Sequence, residues 1–132
     1  MFKTILTARG YELDSFGHVN NAVYLNYLEH ARWVLFGNLN LIGVFDKMEL
    51  LLVVVEVNIR YQREILLHDE LEIRTVCRRE DPYIIFDQKL IHHESSLTAA
   101  KARVRTIFVD KQRISCDIPE EMNVLFKQHG ET

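Results

Sequence analysis

DSFGHVNNAVYLNYLEHARW, residues 14–33, passes from loop chemistry to helix chemistry within eight residues. Its first part carries Asp14, Ser15, Gly17, His18 and the pair Asn20-Asn21, residue types that favour turns and helix caps. From Asn21 to about Phe36 the pattern becomes helical. Leu25, Leu28, Arg32 and Leu35 recur at three- and four-residue spacing, with Tyr24, Tyr27, Ala31 and Val34 beside them. An apolar sector that wide predicts a helix largely covered by other elements. Gly37 is the expected C-terminal stop.

The flanking sequence predicts what covers it. Residues 2–9 read as a strand, with Phe2, Thr4, Leu6 and Ala8 on one side. Residues 10–20 read as loop. After a loop that follows the helix come four strand candidates: 50–62, 70–78, 83–92 and 98–110. In the first, Val55, Val57, Ile59 and Tyr61 alternate with Glu56, Asn58 and Arg60. In the last, Ala100, Ala102, Val104, Thr106 and Phe108 share one side against Lys101, Arg103 and Arg105. Asp81-Pro82 marks the turn between the second and third candidates. DIPEEMNVLFKQHG, residues 117–130, predicts a short C-terminal helix: Pro119 and Glu120-Glu121 stand near its start, Lys127 and His129 near its end, Gly130 just beyond. Short connections favour antiparallel pairing, and a sheet with one apolar face needs a cover. The expected fold is α+β: a five-stranded antiparallel sheet wrapped around the helix of residues 21–36, one domain over residues 1–132.

Composition narrows the function classes. The chain has 132 residues, 48% hydrophobic and 27% charged, with net charge −3. Its longest basic run is Arg78-Arg79, so nucleic acid is not an expected partner. No stretch approaches the ~18 apolar residues of a membrane span, so no membrane partner is expected. Residues 1–14 lack the long apolar segment and small-residue cleavage site of a secretory leader. Cys77 and Cys116 are too few for a disulfide framework, and a reducing cytoplasm is expected. Six histidines include no pair at zinc-type spacing with a third ligand nearby, so no metal and no cofactor are expected.

By spacing alone, two readings of the quoted stretch stand. Asp14 and the asparagines can be turn and cap chemistry. Alternatively, the free N–H groups at the start of a covered helix can stabilise an oxyanion, with Asp14 folded back as a general base or nucleophile. Glu29, a charge within an apolar helix, needs satisfaction. It is expected to pair with Arg32, to hydrogen-bond the Asp14 loop, or to point into the cleft. Tyr24, Tyr27 and Trp33 are expected core or contact aromatics. Arg60, Arg63, Arg78, Arg79, Arg103 and Arg105 could hold phosphates, although a solvated strand face explains most of them.

YELDSFGHVNNAVYLNYLEHAR, residues 11–32, resembles the signature of the 4-hydroxybenzoyl-CoA thioesterase branch of the hotdog-fold superfamily. It is especially similar to bacterial long-chain acyl-CoA thioesterases and plant acyl-acyl carrier protein thioesterases. VVVEVNIRYQRE, HDELEIRT and IPEE extend the likeness more loosely over nearly the whole chain. The resemblance implies a hotdog fold and hydrolysis of fatty acyl-CoA or acyl carrier protein thioesters. It puts the catalytic acid on Asp14, the oxyanion donor near Asn21 beside Asn20, and a second catalytic group on His18. Tyr24 and Glu29 would line the substrate site, and Arg63, Arg78 and Arg79 are the candidates for coenzyme A phosphates. A homodimer, often doubled to a homotetramer, is implied. Where plant relatives place an asparagine two residues after the acid, this chain has Phe16. Glu64 replaces a frequent proline, and His68 stands where glycine often precedes the aspartate. The rival readings are an enoyl-thioester hydratase or dehydratase, using Asp14 and His18 for proton transfer, and a non-catalytic acyl-binding scaffold.

Overall fold

The computed structural model describes residues 1–130. Five strands, β1 (Phe2–Thr7), β2 (Leu51–Tyr61), β3 (Glu70–Glu80), β4 (Tyr83–His92) and β5 (Thr98–Val109), form one antiparallel sheet in the order β1-β3-β4-β5-β2. Helix α1 (Asn21–Asn38) lies across one face of it. The expected α+β wrap of a five-stranded sheet around a long helix is thus what forms. Period-2 alternation sets the face each strand buries. Thr4, Leu6 and Ala8 point inward from the β1 segment, Leu71, Ile73, Thr75 and Cys77 from β3, and Ala100, Ala102, Val104, Thr106 and Phe108 from β5. In β2 an irregularity between Val54 and Glu56 breaks the simple alternation.

Three expectations need correction. Helix α1 runs through Gly37; Asn40, at φ 58°, supplies the left-handed residue just beyond its end, and the Asn40 N–H donates to the Gly37 carbonyl at 3.1 Å. Asparagine is the usual second choice where glycine is not used. The loop expected after α1 contains a further helix, α2 (Ile42–Met48), held by Phe45, whose ring meets Phe36 and Phe108 edge-on at 5.4 and 5.5 Å. Finally, α1 is covered on one side only. Tyr24, Tyr27, Leu28, Ala31, Arg32, Leu35 and Phe36 are buried, while Leu25, Trp33 and Val34 remain exposed. At the C-terminus a single 3₁₀ turn (Glu120–Met122) leads into α3 (Asn123–His129), which buries Leu125. Among the described residues no helix is long and apolar enough to cross a membrane.

The buried side chains fall into two groups along α1. Between them lies a polar layer. The Arg32 guanidinium donates to Gln88 Oε1 at 3.0 Å, and Gln88 Nε2 donates to Thr75 Oγ1 and to the Leu28 carbonyl, both at 3.1 Å. Burial lowers the pKa of Arg32, because a guanidinium removed from water is penalised in its charged form.

Candidate active site

The segment between β1 and α1 is held by backbone hydrogen bonds before any functional group is considered. Val19 N–H donates to the Ile65 carbonyl at 2.8 Å, and Asn20 N–H to the Glu12 carbonyl at 2.9 Å. These pin the helix start between the 3₁₀ turn Gly10–Glu12 and the segment leading into β3. Within the loop, Asp14 N–H donates to the His18 carbonyl at 2.7 Å, and Gly17 N–H to the Asp14 carbonyl at 3.1 Å. Gly17 sits at φ +79°, a conformation that glycine adopts without a Cβ penalty. Asp14 Oδ1 accepts the Phe16 N–H at 2.9 Å and the His18 N–H at 3.2 Å. The carboxylate is therefore oriented by turn chemistry while its second oxygen carries no recorded hydrogen bond among the described residues.

The turn and cap bonds of Asp14 and Asn20 form, and the same fold brings Asp14 to the start of α1. Asp14, His18, Asn21, Tyr24, Tyr61 and Arg63 share a pocket of about 350 Å³ with Val19, Gln62 and Glu64. The N-terminus of α1 faces it through Asn21. Asn20 is the cap: its side-chain oxygen accepts the Ala22 N–H at 2.9 Å, and its carbonyl accepts the Val23 N–H. No acceptor is recorded for the Asn21 N–H among the described residues. It retains the partial positive charge of a helix start.

Aromatic hydroxyls brace the walls. Tyr24 Oη donates to the Arg63 carbonyl at 3.1 Å, Tyr61 Oη donates to the Asn21 carbonyl at 2.9 Å, and the two rings meet edge-on at 4.9 Å. Burial, with Tyr61 and Glu64 nearby, raises the Tyr24 pKa, so its phenol stays a donor. His18 Nε2 lies 3.0 Å from Glu64 Oε2. Glu64 thus orients the His18 ring. Arg63 donates to the Thr98 carbonyl at 2.9 Å from the pocket rim.

Other predicted residues lie elsewhere. Glu29 is on the exposed side of α1, outside the pocket lining, with no ion pair recorded among the described residues; Arg32 turns to Gln88 instead. Arg78 pairs with Asp87 and Glu80, and Arg79 with Asp81. Both lie at the β3-β4 hairpin, whereas the pocket is near the opposite end of β3. At ~3.4 Å per strand residue, that separation within one chain is about 30 Å.

The group that braces the Asp14 loop is Glu12, which sequence reading left without a role. It is 7% exposed. Its carboxylate accepts the Tyr27 hydroxyl at 2.6 Å, the Arg9 N–H at 2.8 Å and the Arg9 guanidinium at 3.0 Å. Burial opposes the charge, but Tyr27 and Arg9 outweigh it and hold the Glu12 pKa below its ordinary value. The signal was present as Arg9 and Glu12 three residues apart, the spacing of a capping box.

Residues 9–126 match the model of a thioesterase-like superfamily. Over 71 residues the chain is 42% identical to the long-chain acyl-CoA thioesterase FadM of Escherichia coli (strain K12), a match covering 54% of each protein. A 27-residue segment is 67% identical to the chloroplastic acyl-acyl carrier protein thioesterase ATL2 of Arabidopsis thaliana, covering 20% of this chain and 14% of that protein. These matches therefore span about half and about a seventh of the two curated relatives. Among solved structures, YbaW, a probable thioesterase from Escherichia coli, superposes with a TM-score of 0.86 at 28% identity, covering 99% of this chain and 100% of that one. A family match running from Arg9 to Phe126 takes in the pocket, the helix and all but the first strand of the sheet: the chain belongs to the thioesterase-like superfamily.

Proposed function

We propose that the protein hydrolyses acyl thioesters, carried on coenzyme A or on an acyl carrier protein, to a free acid and a thiol. The observation that carries this reading is the meeting of Asp14 and the uncapped Asn21 N–H in one pocket at the start of an 18-residue helix. The thioester carbonyl lies with its oxygen on the Asn21 N–H. Charge growing on that oxygen is stabilised by the amide and by the helix end. Asp14 Oδ2 takes a proton from water as the water oxygen bonds to the carbonyl carbon, or itself attacks to give an anhydride that water then opens. Either way the C–S bond breaks and the thiolate leaves. His18, held by Glu64, hands it a proton. Tyr24 shapes the pocket wall, and Arg63 is placed to meet a phosphate at the rim.

A homodimer, or two such dimers, fits the edge of the sheet. β2 is an unpaired edge strand that exposes Leu51, Val54, Val55, Val57 and Tyr61, and such an edge is normally covered. The free thiols Cys77 and Cys116 fit a reducing cytoplasm.

Asp14→Asn tests the assignment, because asparagine keeps an acceptor for the Phe16 and His18 amides. On a panel of short, long and aromatic acyl-CoAs, turnover is expected to fall by at least a hundredfold, about 2.7 kcal/mol of barrier, with an unchanged melting temperature. Activity within about threefold of wild type, ~0.7 kcal/mol, would remove Asp14 from the chemistry. Crotonyl-CoA in the same panel is expected to show no hydration. After a single turnover in ¹⁸O-water, label in the Asp14 carboxylate marks the anhydride route opened by water at the Asp14 carbonyl carbon, an outcome the general-base route cannot give.

A further inference from the structure

The face of the sheet turned away from α1 carries a charge pattern that the hydrolase reading does not use. Antiparallel register sets Lys3 opposite Arg74, Arg74 opposite Lys89, Lys89 opposite Lys101, and Lys101 opposite Arg60. One row of five cations therefore crosses all five strands, in a chain whose net charge is −3. Like charges directly opposite on neighbouring strands destabilise a sheet, so this row is an expense that the fold does not need. The rows beside it are compensated: Asp87 binds Arg78 at 2.7 Å and Arg103 at 3.0 Å, and Glu56 stands opposite Arg105. In the ladder itself only Arg74 has an ion-pair partner among the described residues, Glu72. A trough of about 720 Å³ runs over the same face, lined in part by Arg60, Arg74, Lys89 and Lys101.

We infer that this ladder docks an acidic helix of a partner protein. Strand spacing of about 4.8 Å puts successive cations close to one helical turn apart and spreads the row over roughly 19 Å. Carboxylates at i, i+4, i+7 and i+11 of an α-helix recur about every 5.4 Å along one side, so a helix laid across the strands runs four carboxylates along the five-cation row at nearly the same spacing. A trough accepts a cylinder of that kind. A second copy of this chain does not complement it, since two-fold packing of the face on itself brings cations against cations, and Asp87 and Glu72 are already engaged. The β2 end of the row is Arg60, adjacent in sequence to Tyr61 of the pocket. Resting on the hydrolase reading, a partner docked there is the protein that presents the acyl group, an acidic carrier.

The probe is a labelled helical peptide with glutamates at i, i+4, i+7 and i+11, compared with a peptide of the same composition whose glutamates are spread around the helix. Fluorescence anisotropy with the full chain is expected to show binding of the patterned peptide, weakening as salt rises, and at least tenfold weaker binding of the scrambled one. Lys89→Glu is expected to weaken the patterned peptide at least tenfold and to raise the melting temperature, because it relieves repulsion from Arg74 and Lys101. The neutral double variant Lys89→Gln/Lys101→Gln is expected to do both to a smaller degree. Hydrolysis of an acyl-CoA by these variants should match wild type, which keeps the two proposals separable: absent hydrolysis with intact peptide binding sinks the first alone. Equal binding of the two peptides, or unchanged binding by Lys89→Glu, overturns the docking proposal. So does binding to phosphatidylglycerol vesicles without binding to the patterned peptide, or a change of oligomeric state in Lys89→Glu by sedimentation.

Discussion

The two halves of the core, on either side of the Arg32–Gln88–Thr75 layer, are built from different materials. The half nearer the pocket contains five alanines (Ala8, Ala31, Ala99, Ala100 and Ala102), and its large members Tyr24 and Tyr27 have hydroxyls tied to Arg63 and Glu12. The half nearer the β3-β4 hairpin is packed with Phe36, Phe86 and Phe108, joined by Met122 and Leu125 and flanked by Phe45. Bulky apolar groups contribute area and dispersion without needing hydrogen-bond partners. Alanines contribute little area, so polar contacts must locate the backbone around them. Large aliphatic side chains, Leu28, Leu71, Ile73 and Leu90 among them, are buried at the pocket end too, so the two ends differ in aromatic content and in hydrogen-bonded tyrosines, not in whether they hold a core.

Five substitutions press on that contrast. Phe86→Ala removes a fully buried ring that meets Phe36 at 5.9 Å. It should cost about 4 kcal/mol in urea unfolding, as large-to-small core changes do. A loss under ~2 kcal/mol would mean that the rings around Phe86 are not tightly packed. At the boundary, Gln88→Leu strands the Arg32 guanidinium in the core and should cost about 3 kcal/mol, whereas Arg32→Met with Gln88→Leu should return close to wild type. If the double variant is no better than the single, the layer contributes more than mutual satisfaction of its members.

In the pocket half, Glu12→Gln should cost about 2 kcal/mol at neutral pH and lower turnover as well, because the Asp14 loop loses its brace. The folded pKa of Glu12 lies below its ordinary 4.5. Its contribution is therefore complete above that value and is lost as pH falls through the folded pKa. Melting curves of the wild type and Glu12→Gln should accordingly converge as pH drops below about 4.5; a gap constant with pH would assign the loss to packing instead. The smallest effect belongs to His68, at φ 67°. His68→Gly should raise stability by about 1 kcal/mol by relieving a left-handed conformation, seen as a higher melting temperature with turnover unchanged.

Much of the site could be read along the chain because its parts are close together in it. Asp14, His18 and Asn21 lie within eight residues, and a capped helix start follows them directly. Tyr61 and Gln62 joined the pocket unannounced, from a strand end forty residues later. Glu12 was legible only as a local pair with Arg9; its bond to Tyr27 needed the helix to be laid against the loop. Helix α2 escaped the reading because seven residues carry too little periodicity, and Phe45 holds it through rings from α1 and β5.

Alternation and helical spacing belong to neighbouring residues, so consecutive side chains alone determined the five strands, the long helix and the cap at Asn20. Which outward charges face one another depends on register, and register is set by pairing strands that lie far apart in the chain. Lys3, Arg60, Arg74, Lys89 and Lys101 form no run in the sequence; hydrogen bonding between five strands made them a single line.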